Sequence, residues 1–470
     1  MKVFLRTATI CIVIAFAYTR AGYSRDNNII SAELDSIIQN CLPEGTDISV
    51  YVWDLDGDSA MYAYRENVLN RPASTMKLLT SYSALKSLGS DYSFQTTLKT
   101  DGILENDGTL SGNLYLVGGL DPQLMEADLH SLVSDMKNCG ITRINGNILA
   151  DVSIMDSIYW GSGWAWDDTP NSFQPYISPL IVHGGYIGIS VIPGQKGLPP
   201  TVNTYPQSGY YKVVNLARTK DESLGMLSIK RDWLNNKNTI TISGNATKAT
   251  STDLNIYDSD NFTLTLFSEY VGQEGIEFEG TGWGTCPAQS VTLASVRHTL
   301  REVLKEALKE SVNLNAEAMF LQAARSKSHA QTNFNNAAKY TTRLLRLNVK
   351  RCPTFNIADG SGLSMYDYIP ARLFVEVLRL FYQEPEMYEI IYESLPIAGY
   401  DGTLKGRMGG KTTSGRIHAK TGTVTGACTL SGYARDADGR NMAFCIMNSG
   451  AIKMAASRRV QDAICNILCQ

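Results

Sequence analysis

Apolar runs that read as strands cluster near the two ends of the chain, and helical periodicity flanks them. Residues 48–53 and 60–64 are strand-like, and Asp56-Gly57-Asp58 between them predicts a hairpin turn. Upstream, Ser31 is expected to cap a short helix with Leu34, Ile37, Ile38 and Cys41 on one face. Residues 74–88 read as a helix stopped by Gly89. A second helical pattern starts at Val296, where Val296, Leu300, Val303, Leu304, Ala307 and Leu308 form one stripe. It breaks at Ser311-Val312-Asn313 and resumes at 316–320, and such a polar break between helices is a place where side chains can face a cleft. A helix over 370–382 precedes three strands, 417–422, 428–433 and 442–447, the last two joined by the turn Asp436-Ala437-Asp438-Gly439. A helix over 454–468 closes the chain. Strands joined this tightly are antiparallel. The pattern predicts an α+β fold in which one five-stranded antiparallel sheet is assembled from both ends of the chain.

Between residues 92 and 287 the texture changes. Short strand-like runs such as 114–117 and 147–150 alternate with Gly, Asn and Asp turns, and long helices become rare. Two segments resemble each other. From Leu129 to Gly146, and again from Leu264 to Gly280, a helix pattern leads to Gly-Ile (Gly140-Ile141 and Gly275-Ile276) and then to a further glycine. The copies suggest internal pseudo-symmetry, interrupted by the Tyr-, Pro- and Gly-rich stretch 170–255, which reads as a small β domain. The expected organisation is a leader at 1–21, a main domain from 28–91 and 288–470, an inserted domain from 92–169 and 256–287, and a β-rich domain at 170–255 nested within it.

Composition narrows the function classes. At 470 residues the chain is long enough for two or three domains. A net charge of −4 with no long basic run argues against a nucleic-acid partner. Lys2 and Arg6 precede an uncharged, mostly apolar run over 7–18, and Ala15-Phe16-Ala17 offers small residues for cleavage after Ala17 or Ala21. This pattern predicts a secretory signal, and export to the periplasm, with no transmembrane segment in the mature chain. Cys11 follows Ile10 rather than a small residue, so no lipoprotein signal is read. Eight cysteines follow the leader without a Cys-x-x-Cys spacing, and His130, His183, His298, His329 and His418 form no ligand pattern, so no metal or cofactor is expected. Export permits disulfides; Cys41 with Cys465 or Cys469 and unpaired buried thiols both remain open.

The candidate chemistry begins at Ser74-Thr75-Met76-Lys77. A serine hydroxyl is a poor nucleophile at neutral pH and needs a neighbouring base. Three residues along a helix, Lys77 lies on the same face as Ser74, and an enclosed amine can be partly neutral. Two further elements follow in order, Ser311-x-Asn313 and Lys420-Thr421-Gly422. Here the chain resembles the penicillin-recognising serine acyltransferases, which carry these three motifs. The wide interval between Ser74 and Ser311 is similar to that of the class C low-molecular-mass penicillin-binding proteins, the D-alanyl-D-alanine carboxypeptidase/endopeptidase family. Residues 110–122, 313–317 and 359–364 match that family as well, and the resemblance runs from about residue 30 to the C-terminus, weakest over 170–255.

The resemblance implies a penicillin-binding/β-lactamase-like transpeptidase domain with two nested inserted domains. It implies hydrolysis of D-Ala-D-Ala in peptidoglycan stem peptides through an acyl-serine, D,D-endopeptidase action on cross-links, and acylation by β-lactams. In this scheme Ser74 attacks and Lys77 takes its proton. Ser311 and Lys420 relay a proton to the departing amine, and Asn313 holds Lys77 and the substrate amide. Lys420 and Thr421 attract the terminal carboxylate, and Gly422 lets the substrate backbone lie against the strand edge. The backbone N–H groups of Ser74 and Thr423 form the oxyanion hole. His418 is read as structural, and Asp359-Gly360-Ser361-Gly362 is given no direct chemistry. The chain departs from the family where Met365 replaces an Arg after Gly-Leu-Ser, where Asp367 replaces a common Asn, and where His183-Gly184-Gly185 replaces an Asn/Asp-rich turn. These changes put in doubt the clamp for a side-chain carboxylate, although Asp151 is a candidate to meet a substrate amine. The alternatives are a serine β-lactamase, disfavoured because no Glu-x-x-Leu-Asn loop lies between 313 and 420, and a catalytically silent cell-wall binding protein.

Overall fold

The computed structural model describes residues 27–221, 225–328 and 331–470; the predicted leader lies outside the described residues. Its central sheet runs in the order Ile417–Val424, Gly426–Arg435, Asn441–Ala451, Asp47–Asp54, Ser59–Tyr64, antiparallel throughout. The two ends of the chain meet where Asp47–Asp54 pairs with Asn441–Ala451, Val50 opposite Ile446.

Side chains alternate across this sheet with the period of two that a strand imposes. Tyr51, Ala443, Cys445 and Met447 join one apolar cluster, whereas Val50, Val52, Met442, Phe444 and Ile446 join another. Because both faces are buried, the strands read as continuous apolar runs rather than as an alternation. The helices Asn27–Cys41 and Met454–Leu468 cover one face. The other face carries the helices Met76–Leu88, Leu300–Lys309, Asn313–Ser328 and Ala371–Tyr382.

Several boundaries differ from expectation. Among the described residues the first helix spans Asn27–Cys41, so Ser31 lies within it rather than capping it; the buried face is Ile30, Leu34 and Ile38, and Cys41 is exposed. Val296 belongs to the strand Val291–Thr299, and the helix begins at Leu300 behind a Thr299–Glu302 capping box. Val296 sits four residues before Leu300, so it fits the helical stripe by spacing alone, and the capping pair marks the real start. The helices Phe334–Asn348 and Pro385–Ser394 were not anticipated. All eight cysteines among the described residues are free thiols, with Cys428, Cys445, Cys465 and Cys469 buried.

The repeat in the inserted part has a structural counterpart. Helices Glu126–Asn138 and Ser259–Gln273 pack together. Each is followed by a glycine with positive φ, Gly140 or Gly275, and then leads to a strand, Asn147–Asp151 or Gly280–Trp283. Those two strands are parallel neighbours in a second five-stranded sheet. Between 170 and 255 the described residues form two small sheets and no α-helix. Trp164 and Ile177 pack into the apolar cluster under the nucleophile helix, which fixes the inserted part against the site.

Candidate active site

Ser74 sits in a single 3-10 turn, Ala73–Thr75, that leads into the helix Met76–Leu88. Ala73 has φ +47, an unfavourable conformation for a residue with a Cβ. The surroundings hold it there. Thr75 and Thr429 both donate to the carbonyl of Pro72 at 2.7 Å. Gly362 approaches so closely that a Cβ on it would lie 1.9 Å from the Ala73 carbonyl oxygen.

Lys77, one turn on, is fully buried. Its Nζ lies 2.9 Å from Ser74 Oγ, 2.6 Å from Asn313 Oδ1 and 3.0 Å from the Ser361 carbonyl. A neutral amine has two N–H bonds and one lone pair. The two carbonyl oxygens take the N–H bonds, which leaves the lone pair for the Ser74 hydroxyl. Burial brings Lys77 down to about 7, against the opposing pull of Asp359 and Glu317. Neutral Lys77 therefore accumulates as pH rises through 7. The rate of Ser74 acylation by a fluorescent penicillin is expected to climb from pH 5.5 to 8 and then level off; a flat profile would count against Lys77 as the base.

Lys420, on the edge strand Ile417–Val424, is also fully buried. Its Nζ is 2.9 Å from Ser311 Oγ and 2.9 Å from the Thr421 carbonyl. Burial, with the Lys77 charge adding to it, pushes Lys420 well below the usual lysine range. Asn313 opens the helix Asn313–Ser328, and its amide N donates to the Phe173 carbonyl at 2.7 Å. That bond ties the motif to the inserted part. The structure therefore joins Ser74, Lys77 and Asn313 in one hydrogen-bonded group and Ser311 and Lys420 in another, and Ser74 and Ser311 line the same cavity.

Thr421 Oγ1 donates to Thr403 Oγ1 at 2.7 Å, and Thr421, Gly422 and Thr423 line a cavity of about 360 Å³ with Ser74 and Ser311. Gly422 has a nearer constraint than an approaching substrate. A Cβ there would lie 2.2 Å from Thr429 Oγ1, 2.8 Å from the Pro72 carbonyl and 3.0 Å from Ser74 N. The glycine lets the edge strand lie directly against the turn that carries the nucleophile. Asp151 is placed apart from this set. It is buried at the end of its strand, where its carboxylate accepts from Ser153 N at 2.9 Å and Cys286 N at 2.8 Å. His418 is structural: it stacks on Tyr392 at 3.9 Å and has Nδ1 3.1 Å from the Tyr392 carbonyl. Met365 Sδ lies 3.0 Å from Arg71 Nη1, and Arg71 Nη2 donates to the Thr425 carbonyl, so a guanidinium supplied by residue 71 stands beside Met365.

Reading the sequence missed a platform beneath Lys77. Glu317 accepts from Gly360 N and Ser361 N, both at 2.8 Å. Asp359 accepts from Gly362 N at 2.7 Å, Ser364 N at 2.7 Å and Trp164 Nε1 at 2.8 Å. Together they fix the turn that presents the Ser361 carbonyl to Lys77. Burial first, and then the Asp359 charge, push Glu317 up to about 8 and Asp367 well above the carboxylate range. The runs 313–317 and 359–364 were the available signal, but nothing in them showed that two carboxylates bind the backbone of one turn.

This sheet, helix and motif arrangement is that of the penicillin-binding, β-lactamase-like serine enzymes. The crystal structure of penicillin binding protein 4 (dacB) from Haemophilus influenzae matches with a TM-score of 0.82 at 25% identity, covering 92% of this chain and 98% of that one. The chain belongs to the D-Ala-D-Ala carboxypeptidase 3 (S13) family of serine peptidases, which matches residues 30–470. A D-alanyl-D-alanine carboxypeptidase of Actinomadura sp. (strain R39) is 31% identical over 452 residues, covering 92% of this chain and 83% of that protein. The D-alanyl-D-alanine carboxypeptidase DacB of Haemophilus influenzae is 26% identical over 414 residues, covering 86% of this chain and 85% of that protein. Among the described residues no helix is long and apolar enough to cross a membrane.

Proposed function

We propose that the chain is an exported, periplasmic serine D,D-carboxypeptidase that removes the terminal D-alanine from peptidoglycan stem peptides through an acyl-Ser74 intermediate. It also opens D,D cross-links as an endopeptidase, and β-lactams acylate it. The observation that carries this reading is the buried Lys77 amine, 2.9 Å from Ser74 Oγ with its N–H bonds directed at two carbonyls. Ser74 attacks the carbonyl of the penultimate D-alanine as its proton passes to Lys77. The N–H groups of Ser74 and Thr423 receive the developing oxyanion. The proton reaches the departing amine through Ser311, held by Lys420, and water then hydrolyses the ester. The catalytic domain comprises 28–91 and 288–470, with the inserted domain 92–169 and 256–287 and the nested domain 170–255 walling the cleft.

The relatives' names support the substrate class, and the Haemophilus penicillin binding protein 4 has been solved in complex with a β-lactam. The test is to incubate the mature chain and Ser74→Ala with a fluorescent penicillin and weigh the intact proteins. One stable adduct on the wild type and none on Ser74→Ala is the expected result. Rapid turnover of the penicillin would favour a β-lactamase, and no adduct on the wild type would overturn the mechanism. Stem pentapeptide and cross-linked dimer, supplied separately, then resolve the two peptidase activities.

A further inference from the structure

The cavity of about 360 Å³ beside Ser74 is lined by charged groups of one sign, Arg407 and Arg458, and by no carboxylate. Lys420 lies just below it, also cationic in type. These three cations are not equivalent. Arg407 is neutralised, since its Nε and Nη2 lie 3.1 and 2.6 Å from Asp462 Oδ1. Lys420 is buried and engaged by Ser311 Oγ and the Thr421 carbonyl, in a site that disfavours its charge. Arg458 is different. It is exposed to the cavity, and its Nη2 is 3.5 Å from Thr423 Oγ1. Among the described residues no carboxylate stands within ion-pair distance of it.

Its backbone is well anchored. Arg458 lies on the helix Met454–Leu468 between the buried residues Ser457 and Val460. Three residues on, Gln461 Nε2 donates to the Cys428 carbonyl at 3.0 Å, binding the helix to the strand next to the catalytic edge. A guanidinium stays charged at any working pH and presents a planar fork suited to a carboxylate. Here that fork has no carboxylate partner among the described residues and stands on a fixed helix, beside the hydroxyl of Thr423 and the Cys428 thiol.

We propose that Arg458 is a specificity-determining residue that, with Thr423, binds the free α-carboxylate of the leaving residue. This rests on the carboxypeptidase reading above, in which the group leaving Ser74 carries a carboxylate. It shifts that recognition from Lys420, which remains with Ser311 in proton transfer, to a residue of the last helix. The preference for an acid over a blocked terminus then resides mainly in one exposed side chain.

The test uses an N-acyl-D-alanyl thioglycolate and its thioglycolamide, which differ in the charge of the leaving group alone, on the wild type, Arg458→Gln and Arg458→Lys. For Arg458→Gln the ratio of kcat/KM for acid over amide is expected to fall about 10- to 100-fold, the scale of one charge-assisted hydrogen bond. Arg458→Lys should recover part of that ratio. An unchanged ratio in Arg458→Gln, or an equal loss on both esters, overturns the assignment. N-acyl-D-alanyl-D-alanine serves as the third substrate. If the wild type cleaves it and the ratio is unmoved, only the role of Arg458 fails. If the wild type cleaves none of the three, the carboxypeptidase reading fails and takes the assignment with it.

Discussion

Lys77→Met is expected to lower the rate of Ser74 acylation by about 10²- to 10⁴-fold, the range over which a positioned general base acts. Methionine keeps most of the volume of the buried stem but has neither the lone pair nor the donors. The Ser74 hydroxyl then has no base, since Lys420 Nζ is occupied by Ser311 and the Thr421 carbonyl. The change also strands Asn313 Oδ1 and the Ser361 carbonyl, which lose bonds of 2.6 and 3.0 Å. Each unsatisfied buried acceptor costs about 1–3 kcal/mol, so the melting temperature should fall as well. The measurement is the time course of fluorescent-penicillin labelling, read beside circular dichroism to establish that the variant is folded. Folded Lys77→Met labelling within threefold of the wild type would remove Lys77 from the mechanism.

The second large effect is expected at Asp359. Asp359→Ala leaves three buried N–H groups, from Gly362, Ser364 and Trp164, without an acceptor. Each buried N–H left without an acceptor costs about 1–3 kcal/mol, partly offset because Glu317 and Asp367 lose a like-charged neighbour. Trp164 belongs to the inserted part and Gly362 braces the Ala73 turn, so the loss loosens two contacts of the nucleophile helix at once. Denaturant unfolding followed by tryptophan fluorescence should show the lower midpoint, and acylation should slow because the Ser361 carbonyl is no longer held against Lys77. A midpoint equal to the wild type would show that the turn keeps its shape without the carboxylate.

The central sheet was legible because its strands carry strong local signals: continuous apolar runs, tight turns and a closing helix whose bounds match Met454–Leu468. The motif residues were legible because Ser74-x-x-Lys77, Ser311-x-Asn313 and Lys420-Thr421-Gly422 fall in order along the chain, whereas Ser74-x-x-Lys77 alone is a common tetrapeptide. What was not legible depends on contacts between distant segments. Glu317 belonged to a run that resembles the family, yet nothing in that run showed that its side chain is buried and fastened to Gly360 and Ser361. Gly422 read as clearance for a ligand, whereas its Cβ position is already occupied by Thr429, Pro72 and Ser74. Asp151 read as facing a ligand, but a partner 135 positions later in the chain, Cys286 N, takes one of its oxygens. Arg458 carried no signal, because an arginine near the start of an amphipathic helix is ordinary until the strand beside it is known.

The pairing of Asp47–Asp54 with Asn441–Ala451 also bears on when the enzyme comes into being. The hairpin that precedes the nucleophile is separated from the strand it must lie against by the whole inserted part and most of the helices. Closing so long a loop is slow, and the nascent chain cannot assemble Ser74 against Gly422 before then. Until both segments are present and paired, the edge strand and the nucleophile turn have no common sheet to hold them together.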